Sequence, residues 1–339
     1  MRAFITGITG FAGSHLTEHL LASGDRVLGC SHSGCWRPHT PAVLRPLSLL
    51  AWDVTAGVAD HVRSAVAEFD PDCLFHLAAI SVPRDCGASE PSRQAWEANV
   101  HGTQAVLRLA ATLPRRPRVL LASSCHVYAP VPPARPLVRE DAPTVPAGGY
   151  GKTKLAAESE LLQAVAEEGL DAVIARAFQH AGPRQDARLA ISEWCRQLVS
   201  PEAERVRVQS LSSCFDLSDV RDVVRAYRLL AIHGRAGEIY NVGSGVGRTS
   251  GDLLAQLQSL ANCRLPVAEV APAAIQQPLA DTTRLRQATG WQPWISVERT
   301  LQDTLAFWRA AAVQGAVPAN GATEAATQTD LDPPRLHSS

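Results

Sequence analysis

The chain has 339 residues, of which 46% are hydrophobic and 19% are charged. This is globular composition, with enough length for one large domain or two modest domains. The net charge of -1, from 32 basic and 33 acidic residues, gives no basic excess for a nucleic acid or an anionic membrane. The N-terminus lacks a signal-peptide pattern and no apolar run could span a bilayer, so we expect a cytoplasmic protein.

Cysteines and histidines form no recognisable metal or disulfide pattern. The eight cysteines include no CxxC pair, so we expect reduced thiols and no zinc ribbon or disulfide framework. His15 and His19 have the spacing of some metal ligands, but no third ligand accompanies them, and we predict no metal site. Cys125 has no identifiable base beside it, which favours a packed, inert thiol.

The first elements are typical of a dinucleotide-binding βα unit. Residues 3–6 form a short apolar strand, and a helical pattern follows the loop that contains Gly7, Gly10 and Gly13. Glycines at such a turn let backbone N–H groups approach a pyrophosphate at the helix N-terminus. The spacing is GxxGxxG rather than GxGxxG, and an ordinary turn is the alternative.

The end of the second strand bears on the choice of cofactor. This strand is predicted over residues 26–30, and no acidic residue follows it to bind a ribose 2′-hydroxyl, as NAD sites usually have. Ser31, Ser33 and Arg37 suit a 2′-phosphate, so NADP(H) is favoured while NAD(H) stays open; a solvated loop is the alternative. Asp53 either accepts from an adenine amino group or caps the next turn.

Strands and helices alternate up to residue 178. Strands are predicted over residues 47–52, 72–80, 118–124 and 172–178, helices over residues 62–69, 92–113 and 150–168, and a loop over residues 129–149. The alternation predicts an α/β fold, a Rossmann-type doubly wound parallel sheet with ligands at the carboxyl ends of its strands. Asn99, Ser124 and Tyr128 fall at or near that edge, whereas His76 is predicted to be a core histidine.

Tyr150 and Lys154 form the chemical centre of the sequence. They lie four residues apart, so they share one face of a helix. A lysine ammonium beside a phenol favours the phenolate and lowers the tyrosine pKa, and such a tyrosine can exchange a proton with a hydroxyl or ketone. The same spacing arises by chance on many exposed helices, so the surrounding motifs decide its meaning.

The alternation loosens after residue 178. Helices are predicted over residues 189–199, 220–232, 252–260 and 297–308, and extended segments over residues 206–210 and 238–242. We therefore predict a mainly dinucleotide-binding domain over residues 1–178 and a smaller, mainly substrate-binding C-terminal lobe over residues 179–312, some segments of which return to the first domain. The composition of residues 313–339 predicts a disordered tail.

These motifs together resemble the extended short-chain dehydrogenase/reductase family, which is the NAD-dependent epimerase/dehydratase family, over nearly the whole chain before the tail. The matching positions are residues 6–13, 75–79, 99–103, 123–128 and 150–154. Residues 176–185, 219–227, 239–243, 281–285 and 289–293 are similar to the branch that contains GDP-mannose 4,6-dehydratases and GDP-4-dehydro-6-deoxy-D-mannose reductases.

The resemblance implies a catalytic set of Ser124, Tyr150, Lys154 and Asn99. Tyr150 would donate a proton to the substrate oxygen, Ser124 would hydrogen-bond that oxygen, and Lys154 would also hold the nicotinamide ribose. Asn99 would order water for proton relay, with a helix residue bonded to backbone as the alternative. The implied cofactor contacts are Gly7, Thr9, Gly10, Phe11, Gly13, Ser31, Arg37, Asp53, Val54, Leu77, Ala78, Ala79, Tyr150 and Lys154. The implied substrate contacts are Ser81, His126, Gln179, His180, Arg184 and Arg221.

Three positions depart from the pattern of this branch. Its dehydratases carry a glutamate two residues before the tyrosine that corresponds to Tyr128, and it removes the proton next to the keto group. His126 stands there in this chain, which disfavours dehydration, and reductases need no such base. Gln179 stands where the branch usually has an asparagine, and Phe215 stands where it usually has an arginine. The identities of the nucleotide and of the sugar therefore stay undecided.

The resemblance therefore implies an NAD(P)-dependent nucleotide-sugar oxidoreductase that reduces the C4 ketone of a GDP-4-dehydro-6-deoxyhexose. A GDP-mannose 4,6-dehydratase or a nucleotide-sugar 4-epimerase on the same scaffold is an alternative. A non-catalytic dinucleotide-binding regulator is another, against which the intact Ser124, Tyr150 and Lys154 argue. The implied partners are a nucleotide sugar, with a GDP-sugar favoured, and a second copy of the chain, because the helices around Asn99 and Tyr150 pair between subunits in many relatives.

Overall fold

The computed structural model of the chain describes residues 1–37 and 40–313. The strands are β1 (Arg2–Thr6), β2 (Arg26–Ser31), β3 (Leu49–Ala51), β4 (Cys73–His76), β5 (Arg118–Ser124), β6 (Leu137–Val138), β7 (Ala172–Ala177), β8 (His180–Ala181), β9 (Val206–Val208), β10 (Cys214–Asp216), β11 (Ser218–Asp219), β12 (Ile239–Val242), β13 (Gly247–Thr249), β14 (Val267–Glu269) and β15 (Leu279–Ala280). The helices are α1 (Phe11–Ala22), α2 (Asp60–Phe69), α3 (Arg93–Trp96), α4 (Gly102–Thr112), α5 (Gly149–Glu168), α6 (Ala190–Val199), α7 (Val220–His233), α8 (Ser250–Ala261), α9 (Thr283–Thr289) and α10 (Val297–Val313). None of the helices in these two ranges is long and apolar enough to cross a bilayer.

Seven parallel strands form the central sheet in the order β12-β7-β5-β4-β1-β2-β3. The order reverses next to β1, as it does in doubly wound dinucleotide folds, so the predicted Rossmann-type sheet is confirmed. The strands run in one direction, and their carboxyl ends therefore meet at one edge. That edge brings together the glycine loop after β1, the loop after β4 and the serines that end β5.

Helices cover both faces of this sheet because successive side chains of a strand point to opposite faces. Ile5 lies in a core with α1 and α7, whereas the neighbouring Phe4 lies in a second core with α2, α4 and α5. A third core joins α6, α8 and α10 through Trp194, Leu254 and Leu305. The buried residues of this third core all lie beyond residue 178, whereas β12 and α7, also from beyond residue 178, belong to the sheet and its helices.

Several elements differ from their predicted bounds. The helix predicted over residues 92–113 is interrupted by a π-helical turn at Glu97–His101, which turns Asn99 toward the loop after β4. The strand predicted over residues 72–80 ends at His76, because the chain then leaves the sheet and Ala78 N–H bonds to the Thr6 hydroxyl at 3.3 Å. The loop over residues 129–149 contains β6, which pairs with β15. The tail predicted over residues 313–339 lies outside the described residues except for Val313.

Candidate active site

Ser124, Tyr150 and Lys154 meet at the carboxyl edge of the sheet. Ser124 is the last residue of β5, and its hydroxyl oxygen accepts the His126 N–H at 3.2 Å. Tyr150 is the second residue of α5, and Lys154 follows it by one turn on the same side of the helix. The Lys154 ammonium lies 5.9 Å from the centre of the Tyr150 ring and donates to the Ala122 carbonyl oxygen at 3.0 Å. The structure thus brings together three of the four predicted catalytic side chains.

The first turn of α5 is docked on backbone, which fixes the position of Tyr150. A β-carbon on Gly151 would lie 2.1 Å from the His126 carbonyl oxygen, far closer than atoms can approach. Only glycine lets α5 come this close to the turn Cys125–Val127 that follows Ser124. This contact holds the start of α5, and with it Tyr150, against the turn that follows Ser124.

Burial dominates the protonation of this site. It raises the pKa of Tyr150, and a hydrogen bond with Ser124 only partly opposes it. The direction is opposite to the one predicted from the Tyr150 and Lys154 spacing, because desolvation of the phenolate is the largest effect and the hydrogen bond with Ser124 is what opposes it. Burial also lowers the pKa of Lys154 to about 8, against the charges of Cys86 and Glu158. Tyr150 therefore rests as a neutral phenol.

A cleft of about 480 Å³ opens beside Tyr150. Its volume lies in the range of small-molecule sites. Its lining includes Tyr150, His126 and residues 275–278. The remaining lining residues are Pro83, Arg84, Gly87, Ala88, Cys125, Tyr128, Ala129, Pro130, Ala147, Gly148, Gly149 and Gly151. Within the described chain, no carboxylate is among them.

His126 stands at this cleft in contact with the candidate proton donor. Its ring meets the Tyr150 ring edge-on, with the ring centres 5.6 Å apart. Burial lowers the pKa of His126, so the imidazole is neutral at pH 7 and offers one hydrogen-bond donor and one acceptor. His126 can therefore hydrogen-bond a substrate, and it supplies no negative charge.

Both the oxygen and the nitrogen of the Asn99 side-chain amide form hydrogen bonds. Its Oδ1 accepts the Ile80 N–H at 2.8 Å, and its Nδ2 donates to the Ile80 carbonyl oxygen at 3.0 Å and to Thr153 Oγ1 at 2.9 Å. These bonds tie the π-helical turn to the loop after β4 and to α5. The contacts match the alternative reading of Asn99 as a residue bonded to backbone, and its water-relay role stays a prediction.

The loop after β1 has the form of a cofactor cradle. Gly7 has φ of 69°, a left-handed conformation that favours glycine, and a β-carbon there would lie 2.7 Å from Ala78 N. Gly10 precedes the first residue of α1, Phe11, and its N–H bonds back to the Gly7 carbonyl at 2.9 Å. Gly7 therefore packs directly on the Ala78 backbone, and the N-terminus of α1, which has no side-chain cap, fits a dinucleotide pyrophosphate.

The far end of this cradle follows β2. Ser31 is buried and donates to the Cys35 carbonyl oxygen at 3.4 Å, while Ser33 and Arg37 are exposed. Asp53 caps the turn Val54–Ala56 by accepting the Thr55 N–H at 2.9 Å, which is one of its two predicted roles. Ser33 accepts the Cys35 N–H at 3.4 Å, and its hydroxyl and the exposed Arg37 are the predicted groups at this end that solvent reaches.

The predicted substrate residues of the C-terminal lobe do not line the cleft. His180 stacks on Phe11 of the cofactor loop, with ring centres 5.7 Å apart. Arg184 forms an ion pair with Glu18 of α1. Arg221 is held by Asp219 at 2.7 Å and by Asp303 at 2.8 Å, which braces α7 against α10. The roles of these residues in substrate binding stay predictions.

Two other predicted substrate residues lie nearer to the sheet edge. Ser81 is exposed in the loop after β4. Gln179 directly follows β7 and the buried Phe178, and its side-chain oxygen is buried without a hydrogen-bond partner among the described residues. A buried acceptor of this kind is costly unless a ligand or water meets it.

A buried polar network supports the site from below. Arg176 in β7 forms a two-pronged ion pair with Glu158 of α5, with bonds of 2.9 and 2.7 Å. Its guanidinium lies 4.8 Å from the centre of the Tyr128 ring, and the Tyr128 hydroxyl donates to Asn241 Oδ1 at 2.6 Å. The network joins α5, β7 and β12 directly beneath Ser124. His76 lies in the core as predicted, bonded to Thr6 at 2.7 Å.

Comparison with known proteins identifies the family of the chain. Residues 3–243 match the NAD dependent epimerase/dehydratase family. The chain belongs to this family. It is 31% identical over 316 residues to the GDP-6-deoxy-D-mannose reductase of Pseudomonas aeruginosa, covering 91% of this chain and 97% of that relative. It is 29% identical over 317 residues to the UDP-glucose 4-epimerase of Mycolicibacterium smegmatis, covering 91% and 99% of the two chains.

Solved structures agree with this assignment. The structure of RMD from Pseudomonas aeruginosa complexed with NADPH superposes with a TM-score of 0.76 at 28% identity, covering 91% of this chain and 99% of that one. The family predicted from the motifs is therefore confirmed, and the chain is an enzyme of the extended short-chain dehydrogenase/reductase family. The relatives include reductases, epimerases and dehydratases of nucleotide sugars, so membership alone leaves the reaction open.

Sequence reasoning missed two parts of the cleft. Arg84 lies in a loop without periodic pattern, and nothing in its neighbours marks it as a site residue. The wall formed by residues 275–278 is joined to β10 by backbone bonds such as Cys214 N–H to the Ile275 carbonyl at 2.9 Å. Such a contact between distant segments leaves no local signal in the sequence.

Proposed function

We propose that the enzyme is an NAD(P)-dependent oxidoreductase that reduces the C4 ketone of a nucleotide-linked 4-dehydro-6-deoxyhexose, with the GDP-linked sugar favoured. The observation that carries the proposal is the placement of Tyr150, which is partly buried near Lys154 and near Ser124 at the end of β5, and which lines a cleft without a carboxylate on its described wall. Desolvation raises the pKa of Tyr150, so the phenol keeps its proton. A reduction starts with this tyrosine as a proton donor. The reductase relative from Pseudomonas aeruginosa supports the same reaction.

The chain's own residues supply the proton and the charge stabilisation. A bound nicotinamide cofactor would supply the two electrons of the reduction. Tyr150 gives its phenol proton to the substrate oxygen, and the Ser124 hydroxyl donates a hydrogen bond to the same oxygen as negative charge develops there. The Lys154 ammonium then lies 5.9 Å from the ring of the resulting phenolate and stabilises it.

The cofactor proposal is NADP(H), with NAD(H) as the alternative. Gly7, Gly10 and the start of α1 would hold the pyrophosphate, and Lys154 the ribose next to the nicotinamide. Residues 32–37 contain no carboxylate to bind a free 2′-hydroxyl, and Ser33 and Arg37 are exposed there. These two side chains would pair with the 2′-phosphate of NADP(H).

His126 supports a second candidate, a 4,6-dehydratase or 4-epimerase that recycles its cofactor. The neutral imidazole in contact with Tyr150 is a free base at pH 7. It could remove a proton from the carbon next to a ketone. This cycle starts with oxidation of the substrate, for which Tyr150 must begin as a base, and the raised Tyr150 pKa opposes that start.

Absorbance of NADPH separates the two candidates. The purified enzyme is mixed with NADPH and GDP-4-dehydro-6-deoxy-D-mannose, and in parallel with NADP⁺ and GDP-mannose. We expect one NADPH to be consumed for each keto sugar and no keto sugar to form from GDP-mannose. Formation of a keto sugar from GDP-mannose would instead establish the dehydratase.

The oligomeric state, the location in the cell and the roles of the two parts of the chain are also proposals. We expect a homodimer, formed through α4 and α5, on the basis of resemblance, and action in the cytoplasm on the basis of the unpaired cysteines. We also propose that residues 1–178 mainly bind the cofactor and residues 179–312 mainly bind the substrate. Sedimentation of the purified enzyme tests the first of these, because a monomer at micromolar concentration would contradict it.

A further inference from the structure

Arg84 is the only permanently charged side chain on the described wall of the cleft. It follows β4 in the 3₁₀ turn Pro83–Cys86 and lines the same cleft as Tyr150 and His126. The other polar lining groups, such as Gln276 and Gln277, are neutral. The cleft therefore combines one fixed positive charge with no fixed negative charge, which suits an anionic ligand.

The guanidinium of Arg84 has more N–H donors than its one hydrogen bond uses. One N–H donates to the carbonyl oxygen of Arg188, in the turn that leads to α6. An arginine has five N–H donors in a fork, and within the described residues no carboxylate forms an ion pair with Arg84. The nearby Asp85 and Asp186 each form an ion pair with Arg188, both at 2.9 Å, and the positive charge of Arg84 helps to lower the pKa of Asp186 from a longer distance.

We infer that Arg84 binds the diphosphate of the substrate. The inference rests on the proposed function, which places the sugar carbon that reacts at Tyr150. A diphosphate linked to that sugar must continue along the cleft, and Arg84 offers it a bidentate, charge-assisted contact. The bond from Arg84 to the Arg188 carbonyl holds the fork at the point where the sheet domain meets the C-terminal lobe.

Binding of free nucleotides tests this inference without any turnover. Calorimetry measures GDP, UDP and dTDP, each against its nucleoside, on wild type, Arg84→Gln and Arg84→Lys. We expect Arg84→Gln to bind the preferred diphosphate about tenfold more weakly, with nucleoside binding unchanged. Arg84→Lys keeps the charge and should fall between the two. Arg93→Gln, an exposed arginine away from the cleft, is the matched control and should bind like wild type.

Two outcomes would overturn the inference. One is equal diphosphate affinity in wild type and Arg84→Gln, and the other is no binding of any of the three diphosphates to wild type. Turnover assays distinguish a failure of this inference from a failure of the proposed reaction. If Arg84→Gln consumes NADPH with an unchanged KM for the keto sugar, the role of Arg84 is rejected and the reductase proposal stands. Arg84-dependent diphosphate binding without consumption of NADPH would reject the reductase alone.

Discussion

Replacing Gly151 by alanine tests how far catalysis depends on the docking of α5. The new β-carbon would start 2.1 Å from the His126 carbonyl oxygen and 2.8 Å from Pro146 Cβ. The first neighbour is backbone in the turn that follows Ser124, so a side-chain rotation cannot relieve the clash. The first turn of α5 and the turn Cys125–Val127 must therefore move apart.

The size of this movement follows from the contact distance. Real β-carbons do not approach other atoms closer than 3.0 Å, so the gap of 2.1 Å must widen by about 0.9 Å. Tyr150 precedes the substituted residue, and its phenol moves away from the Ser124 hydroxyl. A misplacement of about 1 Å in a catalytic group costs on the order of 100-fold in rate, and we expect this loss in kcat.

Stability should respond much less than activity. Alanine is better than glycine inside a helix by about 0.5–1 kcal/mol, which offsets part of an overpacking cost of about 1–3 kcal/mol. The assay is therefore kcat from NADPH absorbance together with Tm of the same protein. The control is Gly251→Ala in the first turn of α8, where the nearest atom, the Leu211 carbonyl oxygen, is 3.2 Å away. A Gly151→Ala enzyme with wild-type kcat would refute the docking argument.

Three further predictions concern single side chains. Tyr150→Phe should lower kcat by about 10²- to 10⁴-fold while NADPH binding, followed by fluorescence, stays unchanged; retained turnover would remove the tyrosine from proton transfer. Burial lowers the pKa of Lys154 from 10.5 to about 8, so the unfolded chain binds more protons at this group between these values, and its contribution to stability rises with pH there by about 3 kcal/mol. The unfolding free energy of wild type minus that of Lys154→Met, measured in urea, should therefore increase by about 3 kcal/mol from about pH 8 to pH 10.5, and a constant difference would contradict the assignment. Glu158→Gln leaves the buried charge of Arg176 without a counter-charge and should lower the free energy of unfolding in urea by about 3–5 kcal/mol. Glu97→Gln, which removes one partner of an exposed pair, should lower it by less than about 1 kcal/mol.

The sequence was sufficient for the sheet and for the chemical pair because both depend on local patterns. The alternation of apolar strands and helices predicted the doubly wound sheet, and the glycines of residues 7–13 predicted the loop that now lies against Ala78. Tyr150 and Lys154 needed only helical spacing to be placed on one face. The family prediction rested on the order of these motifs, and it is confirmed.

The protonation of Tyr150 could not be predicted in the same way. The spacing to Lys154 indicated a lowered pKa, but it contains no information about how deeply the phenol is buried. Cys86, Cys125 and the docked first turn of α5 surround Tyr150, and they come from three separate segments. Desolvation by these segments reverses the predicted direction of the pKa shift.

The contacts of Arg84 and Arg221 show the same limit for charged residues. Arg221 was predicted to bind substrate from its motif, yet its guanidinium spans Asp219 and Asp303 of a helix that begins 76 residues later in the chain. Arg84 has no motif, yet it faces the cleft. Which arginine remains free for a ligand depends on which carboxylates the fold delivers to it, and that is a property of tertiary contacts.

The two proposals meet in the electrostatics of the cleft. A phenol that rests protonated is ready to donate its proton, which the reduction of a ketone to an alcohol requires. The neutral His126 leaves that phenol without a neighbouring carboxylate that would raise its pKa further or take its proton. Arg84 then attracts the anionic part of the substrate without placing a negative charge near the reacting oxygen. An epimerase or dehydratase on this scaffold would have to ionise Tyr150 first, and the observed charges favour the reductase because it does not.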